Sequence, residues 1–80
     1  IQGANPAKDK SVIELALMNN TFAELALYDL GGNWVQTIDA QKRSKGAYLI
    51  EWNHQNIAAG TYLLTLYTYH GFESIKVVIE

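Results

Sequence analysis

The chain has no cysteine, a single proline and little charge, and each shortage removes a class of answers. Without cysteine there is no disulfide staple, no thiol nucleophile and no thiolate to hold zinc. Charged residues make up 18% and the formal net charge is −2, so nothing draws the chain to nucleic acid or to anionic lipid. No apolar run approaches the roughly 18 residues of a membrane-spanning helix, and no signal-peptide pattern opens the chain. The first residue is Ile1 rather than methionine, so a fragment of a longer protein is expected. No glycine-rich loop leads into a helix, and no Ser/His/Asp set sits in a glycine elbow. His54 and His70 fall in two separate predicted turns, with no HxH or HExxH spacing. No catalytic residue, metal or cofactor is therefore expected, and an enzyme this small without pocket-forming helices would be unusual.

What is present is apolar sequence at period two. The hydrophobic fraction, 49%, belongs to a folding chain, and 80 residues make one domain, 1–80, with a thin core. Residues 1–10 are polar and read as a linker or a short first strand. Asn5-Pro6 cannot lie within a central strand, because proline has no N–H for a ladder. Ser11 to Met18 alternates, with Ile13, Leu15 and Leu17 on one face, and Phe22 to Tyr28 alternates with Ala23, Leu25 and Leu27. Asn19-Asn20-Thr21 between them predicts a hairpin in which those two apolar rows meet strand to strand. Asp29-Leu30-Gly31-Gly32-Asn33 is the densest turn signal, followed by a short strand from Trp34 to Ile38 and a polar loop from Asp39 to Lys45. Gly46 opens a strand carrying Tyr48, Ile50 and Trp52 on one face, and Asn53 to Ala59 connects it to the next, with Ile57 as an anchor.

The stretch from Gly60 to Tyr69 organises the rest. Tyr62, Leu64 and Leu66 line one face and Leu63, Tyr67 and Tyr69 the other, which predicts a central strand covered on both sides. Phe72 to Glu80 alternates with Ile75, Val77 and Ile79. A turn centred on His70-Gly71 would place Leu66 opposite Ile75, Leu64 opposite Val77 and Tyr62 opposite Ile79. Six strands, seven with a short one before Pro6, recur at the spacing of an all-β sandwich. The fold class expected is a small antiparallel immunoglobulin-like β-sandwich.

The landmarks also come in a telling order. Asn5-Pro6 is followed by Tyr28-Asp29-Leu30-Gly31-Gly32, then Gly46, Glu51-Trp52-Asn53, Gly60-Thr61-Tyr62, and the basic-then-apolar Lys76-Val77-Val78-Ile79-Glu80. This series resembles the C-terminal sorting domain of the type IX (Por) secretion system of Bacteroidetes, over nearly the whole chain. Two positions depart from the pattern: Asn33 where a basic residue is frequent, and His54-Gln55-Asn56 where a small acidic or glycine-containing loop is frequent.

The resemblance implies a domain at the end of a larger cargo protein, folded in the periplasm. It would be recognised by the outer-membrane translocon and its shuttle protein. A sortase-like cell-surface signal peptidase would then typically cut it away, leaving cargo on the outer membrane or secreted. It also implies which residues matter: Lys76, Val77, Val78, Ile79 and Glu80 for recognition, and Asn5, Pro6, Asp29, Gly32, Gly46, Trp52, Gly60 and Tyr62 for the structural motif.

Each has a plainer reading beside it. Lys76 to Glu80 can simply complete a sheet, although a terminal strand also offers backbone groups that a receptor reads by strand addition. The three glycines read as turn or strand-start requirements and Trp52 as core. Asp29 and Asp39 read as turn residues bonding nearby amides rather than as general acids, and Lys42-Arg43-Ser44-Lys45 as a solvated loop. Trp34, Tyr48, Tyr67 and Tyr69 offer an alternative, an aromatic platform on an adhesive or carbohydrate-binding accessory; a plain spacer is a third. Long apolar edges on a thin core further predict pairing or strand exchange between copies at high concentration.

Overall fold

The computed structural model describes residues 1–6 and 9–80, with side chains described throughout except at positions 5 and 6. Seven strands follow one another: β1 (Gly3–Pro6), β2 (Lys10–Leu17), β3 (Thr21–Asp29), β4 (Trp34–Arg43), β5 (Gly46–Asn53), β6 (Gly60–Thr68) and β7 (Gly71–Ile79). They form two antiparallel sheets, ordered β1-β2-β5 and β4-β3-β6-β7. The all-β two-layer reading of the sequence holds.

Period-two alternation explains the packing. Ile13, Leu15 and Leu17 of β2 and Ile50 and Trp52 of β5 present one apolar face. Ala23, Leu25 and Leu27 of β3, Leu64 and Leu66 of β6 and Ile79 of β7 present the other, and all are buried in one cluster. Within the larger sheet the rows are in register, Leu25 beside Leu66 and Leu27 beside Leu64.

Four expectations are corrected. β2 and β3 do not form a hairpin: β2 pairs with β1 and β5, and β3 with β4 and β6. Their apolar rows meet face to face across the sandwich, because two alternating strands bury the same residues stacked as they would side by side. β6 and β7 pair two residues away from the expected register, with Leu64 opposite Ile75, Tyr62 opposite Val77 and Gly60 opposite Ile79. The turn is Tyr69-His70, and Gly71 follows it at φ +128°, so the glycine's freedom is used after the turn rather than inside it. A shift of two preserves both faces, so face matching alone could not exclude it.

β4 runs to Arg43 through the stretch expected as a loop. Register shifts lie between Leu25 and Ala26 and between Leu27 and Tyr28, where the β3 ladder skips Ile38 and Val35. These irregularities turn both apolar side chains onto the core. The part expected as a loop, Asp39 to Arg43, carries only Ala40 as an apolar side chain and so has no row to reveal it. Finally, β6 is central but covered on one face only. On the outer face Thr65 is buried and bonded to Ser74 at 2.8 Å, while Tyr67 and Tyr69 are exposed.

Candidate recognition edge and cleft

Most of the singled-out residues gather at one end of the sandwich. Ladder partners place them: Pro6 lies beside Ser11 and Ser11 beside Trp52 in one sheet. In the other, Asp29 lies beside Tyr62 and Tyr62 beside Val77, with Gly60 beside Ile79. Gly46 is the exception, opening β5 at the opposite end, next to Leu17.

Local chemistry sets each of them. The Asp29 carboxylate accepts the backbone N–H groups of Gly31 and Asn33, both at 2.9 Å, and the Asn33 side-chain amide. The Gly32 N–H donates to the Asp29 carbonyl, and Gly32 sits at φ +87°, a left-handed conformation that glycine adopts without a Cβ clash. The hydrogen bond from the Asn33 backbone, seconded by its side chain, holds the Asp29 carboxyl below the usual carboxylate range. Tyr62 Oη donates to the Ala58 carbonyl at 2.7 Å, tying the β5–β6 connection to β6. Trp52 is buried and its Nε1 donates to Gln36 Oε1 at 3.0 Å, linking the two sheets.

β7 ends the order of the larger sheet, so one of its backbone edges carries no strand among the described residues. Its side chains split by parity. Ile79 is buried, Ile75 and Val77 are half-buried, and Lys76, Val78 and Glu80 face solvent, Val78 being 58% exposed. Beneath this edge opens a cleft of about 710 Å³, lined by Ala4, Ser11, Trp52, His54 and residues 75–80.

His54 and Ser11 are the residues that reasoning from sequence missed. His54 is 3% exposed, its Nε2 lies 2.9 Å from Ser11 Oγ, and its ring packs edge-on against Trp52. Its Nδ1 is buried with no hydrogen-bond partner among the described residues. The signal was available: Ile50, Trp52 and His54 continue one period-two row beyond the strand's last residue. Among the described residues no group of three metal-ligating side chains converges on this site or elsewhere.

The expected aromatic platform is not assembled. Tyr48 stands on the smaller sheet beneath the Arg43 guanidinium, at 4.7 Å. Trp34 and Tyr69 lie at opposite ends of the larger sheet. Tyr67 instead clusters with Tyr28 and Phe72, at ring separations of 6.4 and 5.9 Å with the rings inclined to one another. The Tyr28 and Tyr67 hydroxyls lie 3.1 Å apart, and their shared hydrogen bond raises the Tyr28 phenol above its ordinary pKa.

A family model described as the secretion system C-terminal sorting domain matches residues 5–80. The chain belongs to this family. It is a C-terminal sorting signal of type IX secretion, the system of Bacteroidetes, and the family is not a catalytic one. Such a sorting domain is the tail of a cargo protein that engages the type IX system and is exported to the outer membrane, the cell surface or beyond. Neither curated proteins nor solved structures give a match to the sorting domain. The recognition series of the sequence thus runs through the matched span, from Asn5 to Glu80.

Proposed function

We infer that the sorting domain is recognised through its last strand, by protein–protein contacts at Lys76–Glu80. The type IX translocon and its outer-membrane shuttle protein read this strand after the folded domain has crossed the periplasm. A sortase-like peptidase at the cell surface then removes the domain from its cargo. The landmark residues Asn5, Pro6, Asp29, Gly32, Gly46, Trp52, Gly60 and Tyr62 act structurally, by holding that strand in place. What supports this reading is the position of β7: it is the terminal strand of its sheet, with a backbone edge unpaired among the described residues and outward-facing Lys76, Val78 and Glu80. The same edge allows pairing or exchange between copies, which would compete with recognition at high concentration.

Removing Lys76–Glu80 from the full-length parent should strand the cargo in the periplasm. Because Ile79 belongs to the core, a second variant is needed: Lys76→Glu with Val78→Asp alters the solvent face and leaves Ile79 intact. Normal export of both variants would overturn the reading. A second reading, a carbohydrate-binding accessory, draws on the cluster of half-buried Tyr28 with exposed Tyr67 and Phe72, Phe72 being 73% exposed. It predicts that Tyr67→Ala weakens glycan binding and leaves export unchanged.

A further inference from the structure

The two long sides of the sandwich are finished differently. On the β4/β5 side, polar side chains bridge and fill the gap between sheets. Trp52 donates to Gln36, the Arg43 guanidinium lies over the Tyr48 ring, and Arg43 and Gln41 both donate to Asp39. On the β1/β7 side the Ile1 ammonium pairs with Glu73 at the end away from His54, and no side-chain bridge beyond it stands among the described residues. The gap is the cleft of about 710 Å³, with Ala4 on one wall and Ile75, Val77 and Ile79 on the other.

Three features converge there. β7 presents a row of backbone N–H and C=O groups that are unpaired among the described residues. The walls are aliphatic, with a small residue, Ala4, facing larger ones. At the inner end sits the His54 imidazole, buried, its Nε2 engaged by Ser11 and its Nδ1 without a partner among the described residues. Buried polar atoms are ordinarily satisfied, so such an atom lining a cleft marks a place for a ligand's polar group.

We propose that this cleft takes one extended polypeptide segment of a partner protein. The segment pairs with the free edge of β7, sends alternate apolar side chains between Ala4 and the Ile75, Val77, Ile79 row, and turns an acidic side chain outward beside Lys76. The proposal rests on the reading of β7 as the recognition strand and names what docks on it. An acyl chain or a sugar would fill the space but leave the β7 edge bonded only to water. A polypeptide strand brings backbone partners and side chains at period two together.

A second copy is the weaker occupant. Antiparallel pairing of two β7 strands over Gly71–Ile79 sets Ile75 opposite Ile75, Lys76 opposite Ser74 and Glu73 opposite Val77. Lys76 then meets no opposite charge and Glu73 stands against an apolar residue, twice over. A partner segment can instead set an acidic side chain beside Lys76.

The test uses the full chain, labelled with nitrogen-15, and a capped synthetic peptide alternating valine with threonine, with one glutamate on the threonine face. Addition of the peptide should move the β7 amide signals and the His54 ring nitrogens. N-methylating the peptide along one backbone edge should weaken binding more than about tenfold, since each methyl removes a ladder donor. Exchanging its glutamate for lysine should weaken it by about threefold, as expected for an exposed charge pair. Ala4→Phe should fill the cleft and abolish binding; the N-methylated peptide gives the same answer with the chain unaltered, should that variant fail to fold.

Absence of any shift at β7 and His54, or equal binding of the methylated peptide, overturns the proposal. So does movement of the same signals on self-association without peptide, which would assign the cleft to a second copy, or on addition of a medium-chain fatty acid alone. If deletion of Lys76–Glu80 blocks export while the peptide does not bind, the cleft proposal fails and the recognition reading stands. Unimpaired export with peptide bound would have the reverse meaning.

Discussion

Trp52 and Gln36 belong to different sheets, and the indole N–H of one meets the side-chain oxygen of the other at 3.0 Å. Trp52 is buried, so its N–H has lost water and depends on that oxygen. Gln36→Leu removes the acceptor while keeping an aliphatic stem against the core. Because Gln36 is only half-buried and water can partly substitute, the loss should be about 1 kcal/mol, read as a lower urea midpoint with an unchanged slope. A shift within about 0.5 kcal/mol would mean that the indole is equally well solvated without Gln36.

The core is thin, so its largest residues should be costly to truncate. Leu27 and Leu64 are fully buried and stand opposite one another across β3 and β6. Leu64→Ala should cost about 3 kcal/mol through lost transfer energy and residual cavity. A domain of this length holds only about 4–12 kcal/mol in total, so the variant should melt well below the parent. Leu49→Ala serves as the control: Leu49 is 73% exposed, and its loss should change stability by less than about 0.5 kcal/mol. Circular dichroism melts of both variants decide the matter.

These contrasts mark what could be read from sequence. Period-two rows identify which side chains are buried, because Ile13, Leu25, Leu64 and Ile79 would be core in any sheet that uses their faces. They carry less information on which strands are neighbours, since a strand buries the same row whether its partner lies beside it or across the core. That is why β2 and β3 read as a hairpin and are stacked instead. The second half of β4, Asp39 to Arg43, is polar apart from Ala40 and showed no row to detect, and a two-residue shift of β7 left every face unchanged. Of the site, the order of landmarks led to the family and to the last strand. The cleft beside it arises from two strands far apart in sequence, and only the row Ile50, Trp52, His54 hinted that a histidine lay inside.

The β6–β7 register can be tested energetically. Thr65 Oγ1 and Ser74 Oγ lie 2.8 Å apart because Thr65 is paired with Ser74. In the register expected from face matching, Thr65 would stand opposite Lys76, and Ser74 two residues further along. A double-mutant cycle of Thr65→Val and Ser74→Ala should give a coupling of about 0.5–1 kcal/mol, the range for a cross-strand hydroxyl pair. Coupling near zero would return the hairpin to the other register.

The Asp29 turn makes stability depend on pH in a definite direction. Its carboxylate accepts the Gly31 and Asn33 N–H groups and the Asn33 amide, and the Asn33 backbone bond is the main cause of its depressed pKa. Unfolding frees the group to its ordinary value, so between the two values the unfolded chain binds more protons. The stabilisation is complete above the ordinary carboxylate pKa and is lost as pH falls through the depressed, folded value. Thermal melts taken from about pH 7 down to about pH 2 should therefore show an acid slope to which Asp29 contributes. Asp29→Ala removes the acceptor of two backbone donors, so it should lower the melting temperature at neutral pH. The gap between variant and parent should close as acid protonates Asp29 in the parent. A gap that stays constant with pH would mean that the turn is held by Gly32 and the backbone bonds alone, with the charge of Asp29 contributing nothing.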